Sequence, residues 1–95
     1  MCKSRRVSTK VIVRGLVQGV SFRASLHERA IHHRVDGWVR NREDGSVEAL
    51  LQGDEDAVRR VVEWTRFGPP RAKVSAVTEE TLVVCPRQRG FRIID

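Results

Sequence analysis

Two segments of helical period lie between segments of strand period, and that alternation limits the fold to a few topologies. Val7 to Arg14 alternates, with Val7, Thr9, Val11 and Val13 on one side, which predicts a strand. From Phe22 the spacing changes: Phe22, Leu26, Ala30 and His33 fall on one stripe of a helix, with Ser21 as its expected N-cap. Gly37 to Asn41 reads as a second strand, Asp44-Gly45 as a hairpin turn and Ser46 to Gln52 as a third strand, with Val47, Ala49 and Leu51 on one face. Asp54 caps a second predicted helix with Glu55 and Asp56 in its first turn and Val58, Val61, Val62 and Thr65 as its inner stripe. Gly68-Pro69-Pro70 stops that helix. Lys73 to Val84 predicts a long strand, broken by Pro86, and Phe91 to Ile94 a short terminal one.

The order β-α-β-β-α-β, followed by a short strand, suits an α+β sandwich in which two helices cover one face of an antiparallel sheet. A split βαβ arrangement gives both crossovers the right-handed sense. The loop 15–21, the start of the first helix and the end of the second strand then share one edge of the sheet. Arg23 and Asn41, 18 positions apart, are thereby brought together.

The chain of 95 residues is expected to form one domain over 1–95. A domain of that size buries only roughly 60–65% of the surface of its unfolded chain, so the core is thin. The longest apolar run, Leu82 to Cys85, falls far below the ~20 residues of a membrane span. The basic start, Met1 to Arg6, leads into no apolar signal segment, so the expected location is the cytoplasm with no membrane partner. Lys and Arg number 18 against 12 Asp and Glu, a net charge of +6 that attracts anions without naming one. Cys2 and Cys85 make no metal-ligand spacing with each other or with a histidine. Strand four beside strand one would bring these two cysteines near each other, where a disulfide is one outcome.

Gly15-Leu16-Val17-Gln18-Gly19-Val20-Ser21-Phe22-Arg23 runs from a strand into a helix. Helix N-termini present unpaired N–H groups and a partial positive charge, and glycines let further N–H groups turn inward. Arg23 adds a permanent cation whose planar fork matches phosphate oxygens. On residue type alone an ordinary strand-helix turn with a surface arginine fits as well, and Asn41 reads equally as a turn residue ahead of Asp44-Gly45. The loop is neither a Walker A motif nor a GxGxxG dinucleotide loop.

The same stretch, Val13 to Arg23, resembles the acylphosphatase signature G-x-V-Q-G-V-x-F-R. Gly37-Trp38-Val39-Arg40-Asn41 with Asp44-Gly45-Ser46-Val47-Glu48 resembles that family's second signature, and Gly68-Pro69-Pro70, Ala72 and Val74 match its segment after helix two. The resemblance spans about residues 10 to 93. It implies a ferredoxin-like open-faced sandwich and hydrolysis of acyl phosphates to a carboxylate and inorganic phosphate. It further implies a phosphate cradle over Gly15, Leu16, Val17, Gln18, Gly19 and Val20, with Arg23 as phosphate-binding arginine and Asn41 as water-orienting asparagine. No metal and no organic cofactor is expected. Small acyl phosphates and aspartyl phosphates on proteins are both fitting substrates, and a monomer is the default. Helix one ends in His33-Arg34 where members often have Leu-Gly, which predicts a left-handed Arg34. Leu16 stands where a polar residue is frequent.

Other functions fit less well. Ser21 lacks a partner base, and His27, His32 and His33 are not spaced to converge on a metal. Trp38 and Trp64 are expected to be packing anchors. An RNA-binding module on this fold would need aromatics along strand three, which instead reads Val47-Glu48-Ala49-Leu50-Leu51. No nucleic-acid partner is expected. A catalytically silent anion-binding domain would have no need of both Arg23 and Asn41.

Overall fold

The computed structural model describes residues 5–83 and 86–94. Its elements are β1 (Arg6–Leu16), α1 (Phe22–His32), β2 (Asp36–Asn41), β3 (Val47–Asp54), α2 (Glu55–Thr65), β4 (Lys73–Thr81) and β5 (Phe91–Ile93). The strands stand in the order β4-β1-β3-β2-β5. β1 pairs antiparallel with β3 and β4, and β2 antiparallel with β3. β5 joins the edge parallel to β2, so the expected antiparallel sheet is a mixed one at its last strand. The reason is the crossing made by the chain between β4 and β5. Gln52, on the face of β3 away from the helices, donates its side-chain amide to the Pro86 carbonyl and accepts the Gln88 N–H. That segment therefore passes over the sheet and reaches β5 from the end at which β2 begins.

Both helices lie on the other face, giving the ferredoxin-like arrangement. Val11 and Val13 of β1, Val39 of β2 and Val47, Ala49 and Leu51 of β3 meet Phe22, Leu26 and Ala30 of α1 and Val58, Val61 and Val62 of α2 in one core. Each Val, Leu or Phe among them contributes about 1.5–3 kcal/mol when fully buried. Phe22 and Trp64 pack at 5.4 Å between ring centroids, so Trp64 serves as the anchor expected of it. β3 is buried from Val47 to Gly53 because it lies mid-sheet, with α2 on one face and the open-face side chains on the other.

The ends of β1 and β4 differ from expectation. β1 continues through Gly15 and Leu16, which were expected in the loop, and these pair with Val74 and Lys73 of β4 after a bulge at Arg14/Gly15. A Cβ at position 15 would run into the backbone of Lys73 and Ser75, so only glycine permits this close pairing. β4 stops at Thr81 rather than at Val84, with one further bond from the Leu82 N–H to the Ser8 carbonyl. The question of a Cys2–Cys85 disulfide lies outside the described residues.

The end of α1 follows the sequence reading. Arg34 adopts φ 58°, the left-handed conformation. The Val35 N–H reaches back to the Ala30 carbonyl at 2.8 Å and the Arg34 N–H to that of Ile31 at 3.1 Å. These are the two bonds of a Schellman ending, and buried Val35 and Ala30 supply its apolar contact.

Candidate active site

The site is built where β1 hands the chain to α1. Beyond Leu16 the backbone turns through 17–21. Gly19 adopts φ +76° with nothing near its missing Cβ, so glycine is required there by conformation rather than by space. Ser21 stands at the N-cap, but with φ 66° and ψ 27° its hydroxyl makes no capping bond. Side-chain capping needs an extended residue at that position, so a left-handed serine contributes only its carbonyl, which accepts the Ser25 N–H at 3.0 Å. α1 also has no acidic residue in its first turn, whereas α2 has Glu55 and Asp56 there. The first N–H groups of α1 therefore keep their partial positive charge unanswered by a carboxylate of their own helix.

Arg23 is the second residue of α1 and Asn41 the last of β2. Both border one cleft of about 210 Å³ together with Val17, Gln18, Gly19, Ser21, Phe22, Ala24 and Ile93. Three of the six expected loop residues, Val17, Gln18 and Gly19, thus reach the cleft. Val20 is buried, and Gly15 and Leu16 belong to the end of β1. Leu16 is 53% exposed, outside the cleft lining.

The two walls of the cleft are tied together. The Gln18 side-chain amide donates to the Arg42 carbonyl at 2.8 Å and to the Ser46 carbonyl at 3.0 Å. This clamps the loop to the β2–β3 hairpin immediately beyond Asn41. The hairpin is fixed in turn by Asp44, whose carboxylate accepts the Ser46 hydroxyl and, at 2.9 Å, the Ser46 N–H. The Ser46 hydroxyl bond, the Ser46 N–H bond and the nearby Arg14 and Arg42 guanidiniums hold the Asp44 carboxyl down at about 2. Arg14 lies 3.3 Å from it. Sequence reading missed the side-chain clamp of Gln18 and the place of Ile93. A glutamine inside a glycine-rich loop looks like loop filling, and nothing in Phe91–Ile94 announces a strand parallel to β2.

The remaining candidates do not assemble elsewhere. His32 and His33 meet edge-on at 4.8 Å where the helix ends between them. Burial first, then His32, Arg60 and Arg29, hold His33 below the usual imidazole range. His27 instead faces Phe91. Among the described residues, no three His, Cys, Asp or Glu side chains are grouped to hold a metal. No described helix is long and apolar enough to cross a membrane. On the open face of the sheet, Glu48 binds Arg40 at 2.7 Å and Lys10 at 3.7 Å, and Lys10 also meets Glu80 at 3.6 Å. Those basic groups are paired internally, and Trp38 of β2 is the one aromatic that the described strands place on that face, where base-stacking sheets present two or three.

Comparison with known proteins agrees with this geometry. The acylphosphatase family model matches residues 9–93. An acylphosphatase of Pyrobaculum islandicum is 51% identical over 89 residues, covering 93% of this chain and 94% of the relative. An acylphosphatase of Aeropyrum pernix is 47% identical, covering 92% of this chain and 87% of the relative. The crystal structure of acylphosphatase from Bacillus subtilis superposes with a TM-score of 0.90 at 35% identity, covering 94% and 99% of the two chains. The structure of an acylphosphatase from Coxiella burnetii gives a TM-score of 0.90 at 36% identity, covering 99% and 100%.

Proposed function

The chain belongs to the acylphosphatase family and hydrolyses acyl phosphates, and on that premise we propose that Arg23 and the loop amides hold the phosphoryl group while Asn41 orients the attacking water. The observation that carries the reading is the shared cleft: Arg23 and Asn41, from a helix start and a strand end, border it beside the 17–19 backbone.

An acyl phosphate is a mixed anhydride whose leaving group is a stable carboxylate, so departure needs little protonation. What the site must supply is position and charge. Phosphoryl transfer spreads negative charge over the equatorial oxygens, and a guanidinium with preorganised N–H groups is the matching receptor. Asn41 is no base, but its amide holds a water in line with phosphorus. The water's proton passes to a phosphoryl oxygen of the substrate. The substrates are small acyl phosphates and, through the same exposed cleft, aspartyl phosphates on proteins. The protein acts as a monomer in the cytoplasm.

The test is hydrolysis of an aryl acyl phosphate in excess EDTA by the wild type and by Asn41→Ala. Inorganic phosphate should inhibit both equally, while Asn41→Ala turns over roughly 10²–10³-fold more slowly. Near-normal turnover by Asn41→Ala, or abolition of wild-type activity by EDTA, overturns the reading.

A further inference from the structure

Ile93 is an aliphatic side chain that is 44% exposed and yet borders the catalytic cleft. Its position follows from the parallel strand. Ile93 pairs with Val39, and the next N–H, that of Ile94, bonds the Val39 carbonyl at 2.9 Å. Side chains alternate along strands, so Val39 and Asn41 share the helix-facing side of β2. On β5, Phe91 and Ile93 share the same side. Phe91 is buried and closes the core beside His27. Ile93 lies about 6.6 Å further along the strand, towards the first turn of α1, where Ala24 also borders the cleft. Ile93 and Asn41 are thus diagonal neighbours across a strand pair, the apolar one outermost at the sheet edge.

We propose that Ile93 is the outer wall of the nucleophile pocket, limiting attack on phosphorus to water and keeping larger hydroxyl nucleophiles out. This rests on the assignment of Asn41 as the water-orienting group. The wall stands on the Asn41 side of the phosphoryl group, where the nucleophile enters, and not on the side where an in-line carboxylate departs. An isoleucine offers no hydrogen bond, so a water between it and Asn41 has Asn41 and the substrate as its directing partners. It also takes up the volume an alkyl group would need. With that volume removed, an alcohol can take the water's place. The methanol oxygen then forms a bond to phosphorus as the bond between phosphorus and the acyl oxygen breaks. The electron pair leaves on the carboxylate, and the methanol proton passes to a phosphoryl oxygen. The products are methyl phosphate and the carboxylate.

The experiment is hydrolysis of benzoyl phosphate in buffered water–methanol, with the ratio of methyl phosphate to inorganic phosphate read by phosphorus NMR and the enzyme-free ratio subtracted. The readout is a partition within each turnover, so a variant that is merely less active or less stable does not move it. Steric exclusion of one methylene discriminates by roughly 10–200-fold, and a half-exposed wall belongs at the lower limit, so Ile93→Ala should raise the ratio about tenfold. Ile93→Val should fall between, and Ile93→Leu should stay at the wild-type ratio. An unchanged ratio in both Ile93→Ala and Ile93→Val overturns the proposal. If Asn41→Ala is slow yet the ratio never moves, the proposal alone fails. If Asn41→Ala turns over normally, the Asn41 assignment fails first.

Discussion

Gln18 donates its side-chain amide to the backbone carbonyl of Arg42 at 2.8 Å, across 24 positions of sequence, and so joins the loop that lines the cleft to the hairpin that follows Asn41. A second bond from the same nitrogen reaches the Ser46 carbonyl at 3.0 Å. The glutamine side chain therefore fixes the separation of the two walls of the cleft.

Truncating that clamp should separate turnover from binding. Gln18→Ala leaves two carbonyls without their side-chain donor and is expected to cost about 1–3 kcal/mol in stability. Loop and helix start remain on one side, so phosphate inhibition should weaken little. The distance to Asn41 is released, and small misplacements at a reacting centre can cost up to about 10²-fold in rate, so kcat should fall much more. Urea denaturation, kcat and the inhibition constant for phosphate check this. Equal loss in kcat and phosphate affinity would place Gln18 on the phosphate itself.

Asp44 connects the hairpin to pH. Its folded pKa of about 2 lies below the ordinary 3.8, so between those values the unfolded chain binds more protons than the folded one. The stabilising contribution is complete above about pH 4 and is lost as pH falls through about 2. Asp44→Asn should be less stable than wild type at pH 6, with the gap closing between pH 4 and 2. Urea midpoints over that range measure it, and a gap that stays constant means the carboxylate's charge contributes nothing.

Arg34 tests the end of α1. A left-handed residue with a Cβ costs about 1–2 kcal/mol, partly offset because glycine loses more backbone entropy on folding. Its bonds to Ile31 and those of Val35 to Ala30 are made by the backbone, so Arg34→Gly keeps both. The variant should be about 0.5–1 kcal/mol more stable, which is a rise of roughly 2–8 °C in Tm for a domain of this size. An unchanged or lower Tm would show that the Arg34 side chain supplies a compensating contact.

The helix stripes were legible because burial repeats with the helix period: Phe22, Leu26 and Ala30, and Val58, Val61, Val62 and Thr65, are buried where the spacing puts them. Arg34 was legible through the family resemblance, whose members often carry glycine at that place, the residue that a left-handed helix end favours. The direction of β5 was not, since three residues of strand carry no sign of orientation and the cause is a hydrogen-bonded crossing at Gln52, far away in sequence. Ser21 misled for a related reason: capping preference assumes an extended backbone, and the turn after Gly19 imposes a left-handed one. Arg23 and Asn41 came together as the topology required, whereas Ile93 needed the parallel register to be found.

Arg23→Lys separates clamping from attraction. Both side chains are cationic, so the net charge of +6 and its long-range pull on anions are unchanged. The difference is shape: a guanidinium can meet two phosphoryl oxygens at once, and an ammonium is a compact point charge. A charge-assisted bidentate contact contributes about 2–3 kcal/mol, so a clamp lost to lysine should lower kcat/KM roughly 30- to 150-fold and weaken phosphate inhibition with it. Arg59 is exposed on α2, away from the cleft, and Arg59→Lys should be close to silent. The comparison uses one acyl phosphate at two salt concentrations, because attraction between exposed charges fades with salt whereas a short contact in a cleft does so much less. If Arg23 only gathers anions, lysine replaces it with little loss and what loss there is disappears in high salt. If it grips the phosphoryl group, the deficit persists in both.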